Sequence, residues 1–145
     1  MRKALLLIIT IFTLAGCHKK NQQSQPAANN PVPSTPVSIT LYPNDPLNFK
    51  IQAIGGWMYY SGGINGIIIY RKSEQEFIAL ERTSSYLPDN ANAKVKVQND
   101  NFTCKDSISG SKWQIIDGTV IAGPATWGLR LYGTTFDGSV LKIRN

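Results

Sequence analysis

The stretch KWQIIDGTVIAG, residues 112–123, places two short apolar runs on either side of an Asp-Gly pair. The same arrangement returns near the C-terminus, where Asp137-Gly138 separates TTF from SVLKI. An Asp-Gly pair between two apolar runs is a strong hairpin signal, because a two-residue type I′ turn needs positive φ at both of its central positions. The two stretches therefore predict two β-hairpins that each close on a type I′ turn.

Further short apolar runs, separated by turn-forming residues, extend this pattern toward the N-terminus. In LNFKIQAI, residues 47–54, apolar and polar side chains alternate, and a period of two predicts a half-buried strand. The other runs are GIIIY (66–70), EFIAL (76–80), KVKV (94–97) and LRLY (129–132). No stretch of comparable regularity has helical spacing. We therefore predict an all-β fold, a small antiparallel sandwich or barrel of short strands and hairpins.

The N-terminal stretch MRKALLLIITIFTLAGC has the build of a secretory signal peptide. Arg2 and Lys3 precede a mainly apolar run over residues 4–14, and small residues then lead into a cysteine. The run is much shorter than the roughly 20 residues that an α-helix needs to cross the hydrocarbon core of a membrane. We therefore predict that residues 1–16 are removed as a signal peptide.

Leu14-Ala15-Gly16-Cys17 resembles the lipobox of bacterial lipoproteins, in which the cysteine is lipidated and becomes the first residue of the mature chain. The resemblance implies several acyl chains, such as palmitate, on Cys17. Because each buried methylene contributes about 0.8 kcal/mol, several chains anchor a protein stably in a membrane. His18 stands where enteric lipoproteins retained in the inner membrane carry an Asp. The expected location is therefore the cell envelope, at the outer membrane and facing the periplasm.

Residues 17–40 comprise the lipidated cysteine and a stretch rich in Pro, Asn, Gln and Ser, which has little to bury. We predict an extended tether there, followed by a β domain over residues 41–145. The net charge of +6 is carried partly outside this domain, because four of the 15 basic residues precede it. Residues 41–145 then hold 11 basic and 9 acidic side chains. This balance argues against nucleic acid as a partner.

The order of motifs in the C-terminal half resembles the second half of a Rieske-type 2Fe-2S domain. GSKW (110–113), IIDG (115–118), GPA (123–125) and FDGSVLKI (136–143) follow one another as in that family. Upstream, GIIIYRKSEQEFIALERTSSYLPDN resembles the strand pair that leads into the family's first cluster-binding loop. The resemblance extends from about Leu47 to the C-terminus and implies a Rieske-like β domain.

The residues at the cluster positions depart from that family, which holds its cluster with Cys-x-His in one loop and Cys-x-x-His in another. The resemblance places Ser84 and Tyr86 at the first pair, and Cys104 and Ser107 at the second pair. Serine and tyrosine replace soft thiolate and imidazole donors poorly. We therefore predict that the cluster has been lost and that no metal or cofactor is bound. The alternative is an irregularly held 2Fe-2S cluster.

Three interpretations of Cys104 are compatible with the sequence. A free cysteine can pack as a small apolar side chain beneath a loop. A reactive thiol needs exposure and a lowered pKa, with only Lys105 close in sequence. An unusual metal site would draw on Asp106 and Tyr86. We favour simple packing.

Trp57, Tyr59 and Tyr60 lie between two glycine pairs in GGWMYYSGG, residues 55–63. They belong either to the core at a strand end, which we favour, or to an exposed contact surface for a partner or a sugar. The domain has no nucleophile–base pair and no phosphate-binding loop, so no catalytic residue is predicted. The leading hypothesis is a lipoprotein whose cluster-free Rieske-like domain binds an envelope protein. The alternative is an electron-transfer protein with an irregular metal site.

Overall fold

The computed structural model describes residues 30–145 of the chain. Within this range the regular secondary structure consists of ten antiparallel strands and one 3₁₀ helix, so the predicted all-β fold is confirmed. None of the helical structure in residues 30–145 is long and apolar enough to cross a membrane. The predicted signal peptide, Cys17 and residues 18–29 lie outside the described residues.

Two antiparallel sheets form the domain, and the larger one curls into a half-barrel. In spatial order its six strands are β1 (Ser38–Leu41), β10 (Leu141–Arg144), β9 (Leu131–Phe136), β4 (Phe77–Glu81), β3 (Ile67–Arg71) and β2 (Trp57–Tyr60). The four strands of the smaller sheet are β5 (Lys96–Val97), β6 (Thr103–Lys105), β7 (Lys112–Gln114) and β8 (Val120–Ala122), in that order.

β3 lies between two hydrophobic cores, which explains why GIIIY is apolar at every position. Ile67 and Ile69 pack in the core that contains Leu141 of β10. Ile68 packs in the second core, against Trp113 of the smaller sheet. All three isoleucines are fully buried, and burying one such side chain stabilises the fold by about 1.5–3 kcal/mol. The predicted strands GIIIY and EFIAL correspond to β3 and β4.

Both predicted hairpins form, as β7–β8 and β9–β10, but neither closes on a type I′ turn. Gly118 and Gly138 have positive φ, 72° and 96°, whereas neither Asp117 nor Asp137 does. Each aspartate instead accepts, through Oδ1, the backbone N–H of the residue two positions further on, at 2.9 and 3.0 Å. These Asx turns replace the tighter turns that the Asp-Gly pairs suggested.

The strand predicted over LNFKIQAI is wrong, because the chain forms a 3₁₀ helix over Pro46–Ile51. Asp45 caps this helix by accepting the Leu47 N–H at 2.8 Å, and proline supplies a fixed φ at the first helical position. Leu47 is 87% exposed, and Ile51 is the helix's buried residue. The alternating apolar residues of LNFKIQAI therefore do not form the buried face of a strand.

Residues 30–37, here called the N-terminal strap, pack on the domain, so the packed part of the chain begins before the predicted boundary at residue 41. Val32 is fully buried, and its carbonyl accepts a hydrogen bond from Arg130 Nε at 2.7 Å. The Val37 N–H donates to Asn145 Oδ1 at 2.9 Å. Two valines and these side-chain partners fix a stretch whose composition is otherwise typical of a tether.

Candidate functional site

The first of the two loops that the resemblance assigns to the cluster positions follows β4 directly. Ser84 is fully buried there, and its Oγ accepts the N–H groups of Tyr86 at 3.3 Å and Leu87 at 3.4 Å. The hydroxyl of Ser84 thus stabilises the turn to which it belongs. Tyr86 is 46% exposed. A hydroxyl engaged in its own turn and an exposed phenol do not make a pair of metal donors.

Cys104, the middle residue of β6, is fully buried. It lies opposite Val97 of β5 and Trp113 of β7, in the core between the two sheets. Burial raises the pKa of the Cys104 thiol to about 12, and the negative charge of Asp100 adds to the effect. At neutral pH the side chain is therefore a protonated thiol that packs as a small apolar group.

The loop between β6 and β7, residues 106–111, is closed by its own side chains. Asp106 is fully buried and accepts the Ile108 N–H through Oδ1 at 2.8 Å. Its Oδ2 accepts the Ser109 hydroxyl at 2.7 Å. Ser109 Oγ in turn lies 2.9 Å from Ser111 Oγ. These bonds fill the interior of the loop where the resemblance expects a cluster ligand.

The loops after β4 and β6 meet at the segment 123–128, which connects β8 to β9. Ser85 Oγ donates to the Trp127 carbonyl at 2.6 Å, which ties the first loop to this segment. Ser111 Oγ accepts the Ala125 N–H at 3.0 Å, which ties the second loop to it. We call this end of the domain, formed by the three connections, the loop end.

The donors at the four family positions do not fit a 2Fe-2S cluster. Cys104 is the one thiol in the part of the chain that the structure describes, and its side chain lies in the core. Ser107 is exposed. Within residues 30–145 no group of three or more His, Cys, Asp or Glu is close enough to hold a metal ion. Because a cluster needs four soft donors, this arrangement offers it no ligand set.

Glu81 is a buried carboxylate that the sequence analysis did not single out. It accepts the Tyr132 hydroxyl at 2.6 Å, the N–H groups of Ile64 and Asn65 at 2.9 and 3.0 Å, and both the N–H and the hydroxyl of Thr83 at 2.9 and 2.8 Å. Burial opposes the ionisation of Glu81, yet these hydrogen bonds together hold its pKa below the ordinary value. Glu81 therefore fixes the β2–β3 connection and has no free lone pair for catalysis.

Of the aromatic residues of GGWMYYSGG, Trp57 and Tyr60 are half-buried against the two cores, as the favoured prediction expects, and Tyr59 is exposed. Trp57 and Tyr59 meet edge to face with their ring centroids 5.1 Å apart, and Trp57 Nε1 donates to Asn101 Oδ1 at 2.9 Å. Tyr59 is 38% exposed, whereas Tyr60 packs against the half-barrel core. A groove of about 400 Å³ opens beside the first pair, lined by Lys50, Gly55, Gly56, Trp57, Met58, Tyr59 and Asn101.

Two contacts fix the Tyr59 side chain, one on the ring face and one at the hydroxyl. The Arg82 guanidinium carbon lies 3.6 Å from the ring centroid, and Arg82 Nε donates to the Val95 carbonyl at 3.1 Å. The Tyr59 hydroxyl accepts the Val97 N–H at 3.0 Å. Arg82 and Asn101 were not predicted as site residues. The one sequence signal for Asn101 is its place in the turn NDN, where it adopts a φ of 60° that Asn tolerates better than most residues.

Comparison with known proteins gives no relative, since no family model and no curated protein matches the chain. The Rieske resemblance therefore stays a prediction based on motif order. The function has to be inferred from the groove beside β2, the loop end and the surface charges.

Proposed function

We propose that the protein is a lipid-anchored binding module of the bacterial cell envelope, whose Rieske-like domain holds no cluster and binds an extended polypeptide segment of a partner. The observation that carries the proposal is the groove along β2. The lipid anchor is inferred from the lipobox at Cys17.

The groove follows the edge of a strand. β2 is the last strand of the larger sheet and pairs only with β3 within the described residues. Trp57, Met58 and Tyr59 are consecutive residues and all three line the groove, although side chains alternate along a strand. A groove lined by three consecutive residues favours a course along the backbone edge of β2. An unpaired strand edge offers N–H and C=O groups to an added strand, as in peptide recognition by β-augmentation.

The side chains around this edge favour an aromatic or apolar residue flanked by acidic ones. Trp57 and Tyr59 supply large, rigid contact area at a low cost in side-chain entropy. Lys50 lines the groove, and Arg82 lies over Tyr59 on the adjoining surface. Sugars also stack on exposed aromatic rings, but the open strand edge favours a polypeptide.

The alternative function, electron transfer through an irregular metal site, finds less support in the donor set. The Cys104 thiol is protonated and faces the core, and Asp106 is engaged by its own loop. Neither side chain is available to a metal without local unfolding of β6 or of the loop that follows it.

Photo-crosslinking in cells, followed by binding measurements, tests the proposed function. A photo-reactive phenylalanine analogue at Tyr59 should trap a partner, whereas the same analogue at Gln75, on the exposed β3–β4 turn, should not. The partner identified in this way is then purified and titrated with wild-type protein and with Trp57→Ala. Because Trp57 also packs against the second core, the folded state of the variant is first verified by its circular dichroism spectrum and thermal transition. We expect the substitution to weaken binding by at least about tenfold, the usual effect of removing a central aromatic anchor. Equal affinity for wild type and Trp57→Ala would contradict the proposed function.

A further inference from the structure

Three lysines lie in a row across the smaller sheet. Lys96 of β5 is directly opposite Lys105 of β6, and Lys105 is directly opposite Lys112 of β7. Their neighbours Cys104 and Trp113 face the core, so the three lysines share the outward face. Lys94 precedes Lys96 by two residues, and the fully buried Val95 lies between them, which indicates that both lysines face outward. We call this set of four residues the lysine face.

Among residues 30–145, no carboxylate lies within salt-bridge distance of the lysine face. Like charges directly opposite each other on a sheet destabilise it. The salt bridge found within residues 30–145 joins Lys72 to Glu76, both outside this face. The pKa of Asp100 lies below its ordinary value, mainly because Thr103 and then Phe102 donate hydrogen bonds to the carboxylate. The positive charge of Lys112 makes the smallest contribution to this lowering. An anionic surface that covers the lysines would relieve their mutual repulsion.

An exposed apolar side chain projects from the loop next to this face. Ile108 is 55% exposed and lies in the connection between Lys105 and Lys112, whose backbone is fixed by Asp106. An aliphatic residue flanked by lysines is the combination that peripheral membrane proteins use at the lipid headgroup boundary.

The N-terminal strap begins at the same end of the domain. Asn30 Nδ2 donates to the Gly128 carbonyl at 3.0 Å. Gly128 is three residues from Ala125 along the chain. The Ala125 N–H donates a hydrogen bond to Ser111, and Ser111 immediately precedes Lys112. Three residues of chain span at most about 10 Å, so the strap starts close to the lysine face. Residues 18–29 separate Asn30 from Cys17, and a chain of this length can reach at most about 45 Å.

We infer that the lysine face, together with Ile108, is a docking surface for anionic phospholipid in the membrane that Cys17 anchors. The inference rests on the proposed lipid anchoring and adds an orientation to it, with the loop end toward the lipid. A tether this short keeps the lysine face at a high effective concentration near the headgroups, so that a weak electrostatic contact is sufficient.

The lysine face borders the β2 groove on one side. Lys96 precedes Val97, whose N–H donates to the Tyr59 hydroxyl at 3.0 Å. Ile108 lies farther away, because its loop follows β6 whereas Asn101 of the groove precedes that strand.

Fluorescence quenching on vesicles tests the inference with the lipidated full-length chain. A polarity-sensitive probe is attached at Ile108→Cys or, as a control, at Gln75→Cys, and the vesicles contain phosphatidylglycerol and a headgroup-labelled quencher. We expect strong quenching at position 108 and little at position 75. The quenching at 108 should fall when phosphatidylcholine replaces phosphatidylglycerol or when salt is raised, because the contact is electrostatic.

Charge-matched variants give the second arm, measured with the mature chain, residues 17–145, carrying Cys17→Ser, which has neither the apolar run nor acyl chains to mask weak binding. Lys105→Gln with Lys112→Gln should lower partition onto phosphatidylglycerol vesicles by about tenfold or more, since each lysine near an anionic surface contributes about fivefold. Lys72→Gln with Lys142→Gln removes the same charge elsewhere and should have little effect.

The possible failures are distinguishable. If the lipidated chain does not stay on vesicles of any composition, the proposed anchoring fails, while the Cys17→Ser arm still tests the lysine face. Equal quenching at positions 108 and 75, or equal partition of the two double variants, would overturn the docking surface. Binding of the lysine face to nucleic acid or to an acidic protein, with no preference for phosphatidylglycerol, would also overturn it.

Discussion

Cys104 of β6 and Trp113 of β7 are directly opposed residues of the smaller sheet, and both side chains are fully buried. The cysteine that the family resemblance assigns to a cluster therefore packs against the largest side chain of the core. The position of Cys104 favours a structural role over a redox role, and the reactivity of its thiol tests this interpretation.

The first prediction concerns the reactivity of that thiol. In a Cys17→Ser background, Cys104 should react with a maleimide at pH 8 at least about a hundredfold more slowly in folded protein than in urea, because only the exposed thiolate reacts. Burial raises the pKa of the Cys104 thiol to about 12. Ser107→Cys in the same background introduces an exposed thiol and should react rapidly in folded protein. Similar rates at the two positions would show that Cys104 is accessible.

The second prediction concerns the acid sensitivity of the fold. The pKa of Glu81 is lowered in the folded protein, so its ionised form stabilises the fold above the unfolded-state value of 4.5, and this contribution is lost as pH falls through the folded-state pKa. Glu81→Gln should lower the free energy of unfolding at pH 7 by about 2–3 kcal/mol, because an amide nitrogen faces N–H and O–H donors. Between pH 6 and pH 3 the variant should lose less stability than wild type.

Urea denaturation at a series of pH values checks this prediction, with the exposed Glu74→Gln as the matched control. The control should follow the wild-type curve. A Glu81→Gln protein with wild-type stability at pH 7 and the wild-type loss in acid would mean that the hydrogen bonds to Glu81 stabilise nothing.

The third prediction concerns the N-terminal strap. Thermolysin cleaves before apolar residues, and in wild type it should spare Val32 and Val37, because both are buried and hydrogen-bonded to the domain. Arg130→Ala removes the donor to the Val32 carbonyl, so the strap should detach and expose Val37 to cleavage while the rest of the domain resists. Val37 is the site to follow, because Pro33 blocks cleavage before Val32. Mass spectrometry of the fragments identifies the sites. Lys142→Ala serves as the control, and cleavage of wild type before Val37 would contradict the packing described here.

The fourth prediction separates the loop at residues 106–111 from a metal site. Asp106→Ala removes two hydrogen bonds to a buried carboxylate and should lower the free energy of unfolding by about 1.5–3 kcal/mol. Ser107→Ala should change it by less than about 0.5 kcal/mol, because that side chain is exposed. Thermal unfolding followed by circular dichroism measures both. A larger effect at Ser107 than at Asp106 would indicate that the family position still has a role.

Local sequence patterns identified most of the strands but not their partners. GIIIY and the Asp-Gly hairpins are recognisable because the information lies within a few residues. β1, β2 and β6 were not predicted, since SITL, WMYY and TCK are too short to show a period of two. LNFKIQAI shows that period, yet Pro46 and the Asp45 cap impose a 3₁₀ helix.

The candidate surfaces depend on contacts that sequence spacing does not reveal. The Glu81 carboxylate has no free hydrogen-bonding position, in part because Tyr132 donates to it. Tyr132 is 51 residues away in sequence but lies on β9, the strand next to β4. The lysine face exists only through the register that aligns Lys96, Lys105 and Lys112 across three strands. A domain with only two more basic than acidic side chains over residues 41–145 can therefore still concentrate its positive charge on one face.

The measurement that tests the central claim most directly is the iron and acid-labile sulfide content of the full-length chain, purified without oxygen and examined by visible absorption and electron paramagnetic resonance. A domain whose one described thiol is in the core predicts no stoichiometric iron or sulfide and no Rieske-type signal, in wild type and in Cys104→Ala alike. About two iron and two sulfide per chain, with a Rieske-type signal that disappears in Cys104→Ala, would contradict it.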